Sequence, residues 1–172
     1  RDRTITIMPN NTFWALNHTI NANDKAKIDL TNDYSYDHHY DADFADGVKI
    51  NRKVTVNGNG YTINAQEKAR VFNVQASDVT INNLTIENAN YNGDGGAIYF
   101  HRTGTVTNCN FTNNTATSQG GAVYFWDLGT VTNCNFADNT ATYGGAVYFL
   151  DTGNVTNCNF ADNTATYGGA VY

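Results

Sequence analysis

The chain has 172 residues and a formal net charge of −6, which argues against nucleic acid or an anionic membrane surface as partner. No apolar run approaches the ~20 residues that a membrane-spanning helix needs. The sequence holds 11 Tyr and 9 Phe, enough aromatic surface to form a core, which excludes an intrinsically disordered chain.

The first 47 residues predict an N-terminal cap that consists of a strand, a short helix and an acidic loop. A strand is expected at residues 4–7 and another at 28–30. Between them Thr12 can N-cap a helix whose apolar residues have helical spacing: Phe13, Leu16 and Ile20. Residues 33–47 are polar and acidic, and we expect a loop there.

Alternating β-branched residues then predict a series of short strands separated by turns. These strands are expected at 48–50, 54–56, 61–63, 71–74 and 79–86. We therefore divide the chain into a cap at residues 1–47 and a repeat domain at residues 48–172.

From Gly95 onward one unit is written three times and begun a fourth, starting GGAIYF, GGAVYF, GGAVYF and GGAVY. Its period is 25 residues from Cys109 to Cys134 and 24 from Cys134 to Cys158. A short, strand-rich period indicates a solenoid. Because the fourth unit stops at Tyr172, we expect the solenoid to continue in a longer protein, and its open edge predicts edge-to-edge self-association.

Each unit contains three strand candidates and no helical periodicity, which excludes leucine-rich and helical repeats. The sequence therefore predicts an all-β fold, a parallel β-helix of 24–25 residues and three short strands per coil, behind a short capping helix. Successive coils should stack about 4.8 Å apart. The crossover rule for parallel strands favours a right-handed coil.

Alternation along the strands predicts which side chains point inward. Val131, Cys134 and Phe136 should face the core, and Cys109 aligns with Leu84, so this Cys position is a core position. The cysteines Cys109, Cys134 and Cys158 are therefore expected to be free. Asn108, Asn133 and Asn157 are expected to stack as an amide ladder inside a turn, and a second ladder is predicted for Asn114, Asn139 and Asn163.

The paired tetrads identify a resemblance. GGAI or GGAV at 95–98, 120–123, 144–147 and 168–171 recurs with FTNN or FADN at 111–114, 136–139 and 160–163. These motifs resemble the polymorphic outer-membrane-protein repeat, and the segment before them resembles adhesin-like surface proteins of methanogenic archaea. The resemblance covers roughly residues 48–172. It implies a secreted or surface-anchored β-helix of the pectin-lyase-like type that acts in adhesion without catalytic residues.

Outward aromatic side chains are the candidate binding residues. Tyr99, Tyr124, Tyr148 and Tyr172 should form an exposed column with Trp126 at its edge. Of these, Tyr99, Tyr124, Tyr148 and Trp126 are the candidates for contact with a glycan or a protein. Stacking of these rings within the sheet is the structural alternative. Arg102 is expected to pair with Asp127 of the next coil.

The sequence offers two candidate metal sites, and no cofactor is expected. Asp41, Asp43 and Asp46 are spaced like ligands of a Ca²⁺ loop, although the downstream Glu of an EF-hand is missing. His38 and His39, flanked by Asp37 and Asp41, could bind a transition metal, although adjacent His side chains rarely converge. A solvated loop is the alternative for both.

Catalysis is the main functional alternative. Polysaccharide lyases and hydrolases need clustered carboxylates or a base beside bound Ca²⁺. The stacked Asp127 and Asp151 recur as repeat consensus, and Arg70 and Arg102 have no acidic cluster on their own strands. Such coils could lie outside this sequence. Thr-x-Thr arrays, as at 105–107 and 130–132, make an ice-binding β-helix a minor alternative.

The sequence thus predicts a non-enzymatic, extracellular or cell-surface, adhesin-like β-helix that acts as a stalk or multivalent display surface. Its partner would be a glycan or protein on a host or neighbouring cell. Asn-x-Thr sequons at Asn10, Asn17, Asn83, Asn113 and Asn154 suit an extracellular surface.

Overall fold

The computed structural model describes residues 7–172. The strand predicted at residues 4–7 lies, apart from Ile7, outside the described residues. The capping helix is confirmed: α1 spans Phe13–Asn21, and the Oγ1 atom of Thr12 accepts a hydrogen bond from the Ala15 N–H at 3.2 Å. Its apolar face is buried in the core against the first strands of the solenoid.

Short strands follow, coil after coil. They are β1 (Lys27–Asp29), β2 (Tyr34–Ser35), β3 (Val48–Ile50), β4 (Thr55–Asn57), β5 (Thr62–Asn64), β6 (Phe72–Val74), β7 (Val79–Asn82), β8 (Thr85–Glu87), β9 (Asn90–Tyr91), β10 (Ile98–Phe100), β11 (Gly104–Thr107), β12 (Asn110–Thr112), β13 (Thr115–Ala116), β14 (Val123–Phe125), β15 (Gly129–Thr132), β16 (Asn135–Ala137), β17 (Thr140–Tyr143), β18 (Val147–Phe149), β19 (Gly153–Thr156), β20 (Asn159–Ala161) and β21 (Thr164–Tyr167).

The strands form four parallel sheets, three of which begin in the first coil. Sheet A has the order β1-β4-β7-β11-β15-β19, and sheet B has the order β2-β5-β8-β12-β16-β20. Sheet C has the order β3-β6-β10-β14-β18. The parallel β-helix of about six coils is therefore confirmed, and its right-handed sense stays a prediction.

The structure adds a fourth sheet to the three predicted strands of each coil. Sheet D, with the order β9-β13-β17-β21, begins in the third coil, where the sequence becomes regular. The loop predicted at 33–47 is also not wholly irregular, because it contains β2 and a turn of 3-10 helix at Ala42–Phe44. The division at residue 47 stays a prediction, but β1 and β2 of the first coil already lie before it.

Identical residues stack in register inside the coils, which explains the near-identity of the units. Phe100 stacks on Phe125 with 4.7 Å between ring centroids, and Phe111 stacks on Phe136 at 4.9 Å. These separations match the spacing of neighbouring parallel strands. As predicted, Val131, Cys134 and Phe136 are buried.

The Gly-Gly pair of each unit is required by the turn before sheet C. Gly120 has φ +65°, a left-handed conformation that favours glycine. A Cβ atom on Gly121 would lie 2.0 Å from the carbonyl oxygen of Gly145 in the next coil. The first glycine therefore supplies the backbone angle, and the second lets neighbouring coils approach.

Candidate functional site

The outer face of sheet C carries one continuous line of side chains. Register pairing places Lys49 beside Asn73, then Tyr99, Tyr124 and Tyr148 in successive coils. The tyrosine rings stack, with centroids 4.6 Å apart for Tyr99 and Tyr124 and 5.4 Å apart for Tyr124 and Tyr148. The predicted column exists, and each pair adds about 0.5–1.5 kcal/mol beyond its buried area.

The prediction that this column is exposed is wrong for its inner members and holds for Tyr172 at its end, which is 54% exposed. Tyr124 is 1% exposed and Tyr148 is 8% exposed, while Tyr99 is half-buried. The rings of Tyr99 and Tyr148 cover the two faces of Tyr124, and burial raises the pKa of the Tyr124 phenol. Tyr124 and Tyr148 therefore stabilise the sheet and cannot form a flat strip for a ligand.

The exposed aromatic residue is Trp126, in the column next to the tyrosines. Its side chain is 54% exposed and lies at a groove of about 310 Å³. The groove, called here the Trp126 groove, is lined by Gln75, Tyr99, His101, Arg102 and Trp126. Of the four predicted binding residues, only Tyr99 and Trp126 meet there.

A hydrogen-bond network fixes the polar wall of the groove. Asn73 donates through Nδ2 to Asp46 Oδ2 at 2.7 Å, which sets the orientation of the Asn73 amide. Its Oδ1 then accepts from Gln75 Nε2 at 2.6 Å and faces His101 Nε2 at 3.0 Å. Because Oδ1 can only accept, His101 carries its proton on Nε2, and the neutral ring keeps Nδ1 as an acceptor.

The environment of His101 disfavours its charged form. Burial lowers its pKa, the nearby Arg70 and Arg102 lower it further, and Asp46 partly opposes them. At neutral pH the groove therefore contains a neutral imidazole beside the charged Arg102.

Arg70 is joined to this network through Asp46, which also binds Asn73, so Arg70 is not an isolated base. Its side chain is 4% exposed, and its guanidinium donates to Asp46 Oδ1 at 2.7 Å and to the carbonyl oxygens of Gly95 and Asp94. The same group lies 3.7 Å from the centroid of the Tyr91 ring. Each of its three guanidinium nitrogens thus donates a hydrogen bond to the protein, which makes Arg70 a structural clamp.

The carboxylates of the candidate Ca²⁺ loop do not converge on one point. Asp41 is fully buried and accepts hydrogen bonds from the N–H groups of Phe13 and Trp14 at the start of α1. Asp46 binds Arg70, and Asp43 remains exposed in the 3-10 turn. The three carboxylates are therefore not arranged to share one Ca²⁺ ion, because Asp41 and Asp46 have other partners.

The structure does bring the adjacent histidines together. One ligand atom from each of Asp37, His38 and His39 lies within 4.8 Å of the others. The rings of His38 and His39 have centroids 3.8 Å apart. Asp41, which flanks them in sequence, is engaged with α1 and is not part of this cluster.

The predicted ladders have two different outcomes. Asn108 and Asn133 do form an amide ladder with Asn82, but it lies on the exposed surface, and no described hydrogen bond extends it to Asn157. The ladder inside the coil is the second one, through Asn114, Asn139 and Asn163. The first set stands at turn positions with positive φ, so its side chains point away from the core.

The three cysteines are free, as predicted. Cys109 and Cys134 are buried, and Cys158 is partly buried in the last described coil. The Cys109 N–H faces Cys134 Sγ at 3.5 Å, so these thiols stack along the core. They act as small apolar residues at a position that Leu84 fills in an earlier coil.

The expected ion pair between Arg102 and Asp127 is not formed among the described residues. Asp127 Oδ1 instead accepts from the Leu128 N–H at 2.8 Å. Arg102 is exposed at the groove. Its charge therefore faces the solvent, where a ligand can reach it.

Sequence reasoning did not find Gln75 or Asn73. Both lie in the irregular coil that precedes the repeats, so period alignment does not single them out. The signal that could have found Gln75 is the register between coils. Gln75 occupies the position that His101, Trp126 and Leu150 occupy in the later coils, and the backbone N–H of each residue donates to a carbonyl oxygen of the preceding coil.

Comparisons with known proteins agree with this fold. The family model described as "Putative pectate lyase-like adhesive domain" matches residues 11–124. Neither the curated proteins nor the solved structures give a match. Within residues 7–172, no helix is both long and apolar enough to cross a membrane. The matched segment covers more than half of the chain and includes Gln75, Tyr99, His101 and Arg102 of the groove, while Trp126 lies two residues beyond it. The chain therefore belongs to the pectate lyase-like adhesive domain family.

Proposed function

We propose that this chain is a non-enzymatic contact module of a cell-surface or secreted adhesin, and that it binds glycans through the Trp126 groove. The adhesive family and the adhesin-like β-helix support the general part of this proposal. The resemblance of the repeats to polymorphic outer-membrane-protein and methanogen adhesin-like sequences supports the surface location.

The observation that carries the glycan proposal is the composition of the groove. An exposed indole offers a flat apolar face on which the C–H face of a sugar ring can pack. Gln75, His101 and Arg102 provide donors and an acceptor for the sugar hydroxyl groups beside it. The Asn73 network orients Gln75 and His101 before any ligand arrives, which lowers the entropy lost on binding.

Avidity would come from arrayed copies of the protein. The regular coils repeat the tyrosine position, but Tyr124 and Tyr148 are buried and cannot bind a glycan, so the column does not supply repeated glycan contacts within one chain. The groove combines residues of different coils, so one chain offers this set of side chains once. A rigid β-helix that holds many copies at one surface multiplies weak contacts into strong attachment.

Protein contact is the second candidate, and exposed apolar side chains beside Trp126 favour it. Leu128 and Leu150 are exposed near Trp126, at 43% and 46%. Exposed apolar side chains next to an aromatic residue are typical of protein interfaces. This surface could therefore contact a protein instead of a saccharide.

Catalysis by the described residues is disfavoured because several of their charged groups already form hydrogen bonds within the protein. Arg70 is buried and each of its guanidinium nitrogens donates to a protein oxygen, which argues against its abstracting a proton from a polysaccharide. Asp127 and Asp151 hydrogen-bond within their own turns. Ice binding, the minor alternative, is also disfavoured. Thr105 pairs with Thr130, but the next residue in this column is Asn154, which interrupts the threonine array.

A glycan array and a panel of extracellular proteins test the proposal. The wild-type chain should bind a subset of glycans, and Trp126→Ala should lose that binding. Trp14→Ala is the matched control, because Trp14 is the other tryptophan and lies on α1, where it stacks on His18. Equal glycan binding by Trp126→Ala would overturn the proposal, and binding only to proteins would favour the second candidate.

A further inference from the structure

We propose that Asp37, His38 and His39 form a surface site for a divalent first-row transition metal, with Zn²⁺ as the reference ion. The site is independent of the Trp126 groove and of the proposed function. It lies in the turn between β2 and β3, where the N-terminal cap meets the first coils.

The donor set suits such an ion. Imidazole nitrogen and carboxylate oxygen are ligands of Zn²⁺, Ni²⁺ and Cu²⁺, whereas Ca²⁺ requires a shell of oxygens. The ligand atoms of the three residues already lie within 4.8 Å of one another. The backbone N–H of His39 donates to Asp37 Oδ1 at 2.9 Å, which holds that carboxylate beside His39.

One pair of ligand atoms already has the separation that a metal would impose. Asp37 Oδ1 lies 3.2 Å from His39 Nδ1, a hydrogen-bond contact that a bound metal would replace. Two ligands at about 2.0–2.1 Å from a tetrahedral Zn²⁺ are roughly 3.3 Å apart. A metal could therefore bridge these two atoms with little movement, and a rotation of the exposed His38 ring would supply the third ligand.

The backbone that presents these side chains is held from inside the protein. The buried Asp41 carboxylate accepts the Asp37 N–H at 2.8 Å while it also binds the first N–H groups of α1. The N–H groups of Tyr40 and Asp41 both donate to the Asp37 carbonyl oxygen, which closes the turn. The three ligands thus stand on a preorganised turn, so little conformational entropy is lost when a metal binds.

The surroundings leave room for further ligands. Asp37, His38 and His39 line a groove of about 640 Å³ together with Asn11, Thr12 and Lys68, among others. Three protein ligands leave a fourth tetrahedral position for water or for an oxygen atom of a bound molecule. A metal here would also tie the turn to the capping helix, since both are held by Asp41.

Calorimetric titration of the full chain with ZnCl₂, under reducing conditions, tests the proposal. We expect one site with a Kd on the order of micromolar, weakened at least about tenfold in Asp37→Asn and lost in a His38→Ala, His39→Ala double variant. His18→Ala is the matched control, since His18 lies on the adjacent helix and outside the cluster, and it should bind as the wild type does.

Thermal melting followed by circular dichroism checks that the variants fold, which is expected because both histidines are exposed. It gives a second readout, since Zn²⁺ should raise the melting temperature of the wild type and not of the double variant. No zinc binding below about 1 mM, or unchanged binding in the folded double variant, would overturn the proposal. Unchanged binding would place the metal on other groups, such as His101 or the thiols.

Discussion

The Oδ1 atom of the buried Asn139 accepts two hydrogen bonds from Asn114 of the previous coil, one from its backbone N–H and one from its Nδ2, both at 3.0 Å. The Nδ2 atom of Asn139 in turn donates to the Phe111 carbonyl oxygen at 3.1 Å. One amide side chain therefore satisfies three polar groups that the turn would otherwise bury without partners.

Replacing Asn139 by Ala should lower the free energy of unfolding by about 3 kcal/mol or more, because the buried donors of Asn114 lose their acceptor. Asn135→Ala is the matched control. Asn135 belongs to an exposed ladder with Asn110, where water can replace the lost partner, and the cost should be below about 1 kcal/mol. Urea unfolding of both variants measures the difference, and equal costs would contradict the internal ladder.

Because Tyr124 is buried in the tyrosine column, its replacement should affect stability, whereas replacement of an exposed tyrosine would leave the fold intact. Tyr124→Ser should destabilise the fold by about 3 kcal/mol or more, since it removes a buried ring from between two others. Trp126→Ser, on the neighbouring exposed column, should change stability by less than about 1 kcal/mol. If Tyr124→Ser melts at the same temperature as the wild type, the Tyr124 ring does not stabilise the column and the account of its burial is wrong.

Arg70 should not tolerate lysine. Arg70→Lys keeps the charge but loses the planar set of donors that reaches Asp46 and two carbonyl oxygens at once. We expect a loss of about 2–4 kcal/mol in unfolding free energy. Arg102→Lys, at the solvent-exposed wall of the groove, should be nearly neutral. Chemical denaturation distinguishes the two, and equal stability of both variants would mean that Arg70 is not a clamp.

His101 gives the fold a dependence on pH in the weakly acidic range. Its pKa in the folded state is lowered below the ordinary value of 6.5 by burial and by Arg70 and Arg102, against the opposing effect of Asp46. The unfolded chain therefore takes up the proton first, and the free energy of unfolding should fall as pH drops below about 6.5.

The His101→Asn variant should lack this component, so its stability should change less between pH 7 and pH 5. Asp29 and Asp37, whose pKa values are lowered, act only below about 3.8 and leave that window clear. Denaturant unfolding at several pH values compares the two proteins. Parallel curves would show that His101 is not the group responsible.

Much of the fold could be predicted because a parallel solenoid places equivalent residues of successive coils above one another. Alignment of Cys109 with Leu84 and the alternation around Val131 and Phe136 were enough to assign the core. The Thr12 cap and the apolar spacing after it were enough to place α1. These are local or periodic signals, and the tertiary structure reinforces them.

The site could not be predicted in the same way, because it depends on contacts across coils and turns. Tyr124 points out of the coil, as alternation requires, yet rings from both neighbouring coils cover it. Asp41 and Asp46 look like solvated acids in sequence, but their partners Phe13 and Arg70 lie 28 and 24 residues away. Outward direction and acidic composition are therefore poor guides to exposure in a β-helix.

Tryptophan fluorescence of the Trp14→Phe variant measures the central claim most directly, since Trp126 is then the one remaining indole. Titration with the best-binding oligosaccharide of the array should change the emission in a saturable way, and a Trp126→Phe variant that keeps Trp14 should show no such change. If the Trp126 emission stays constant at saturating saccharide, or if Trp14 reports the binding instead, the groove is not the binding site.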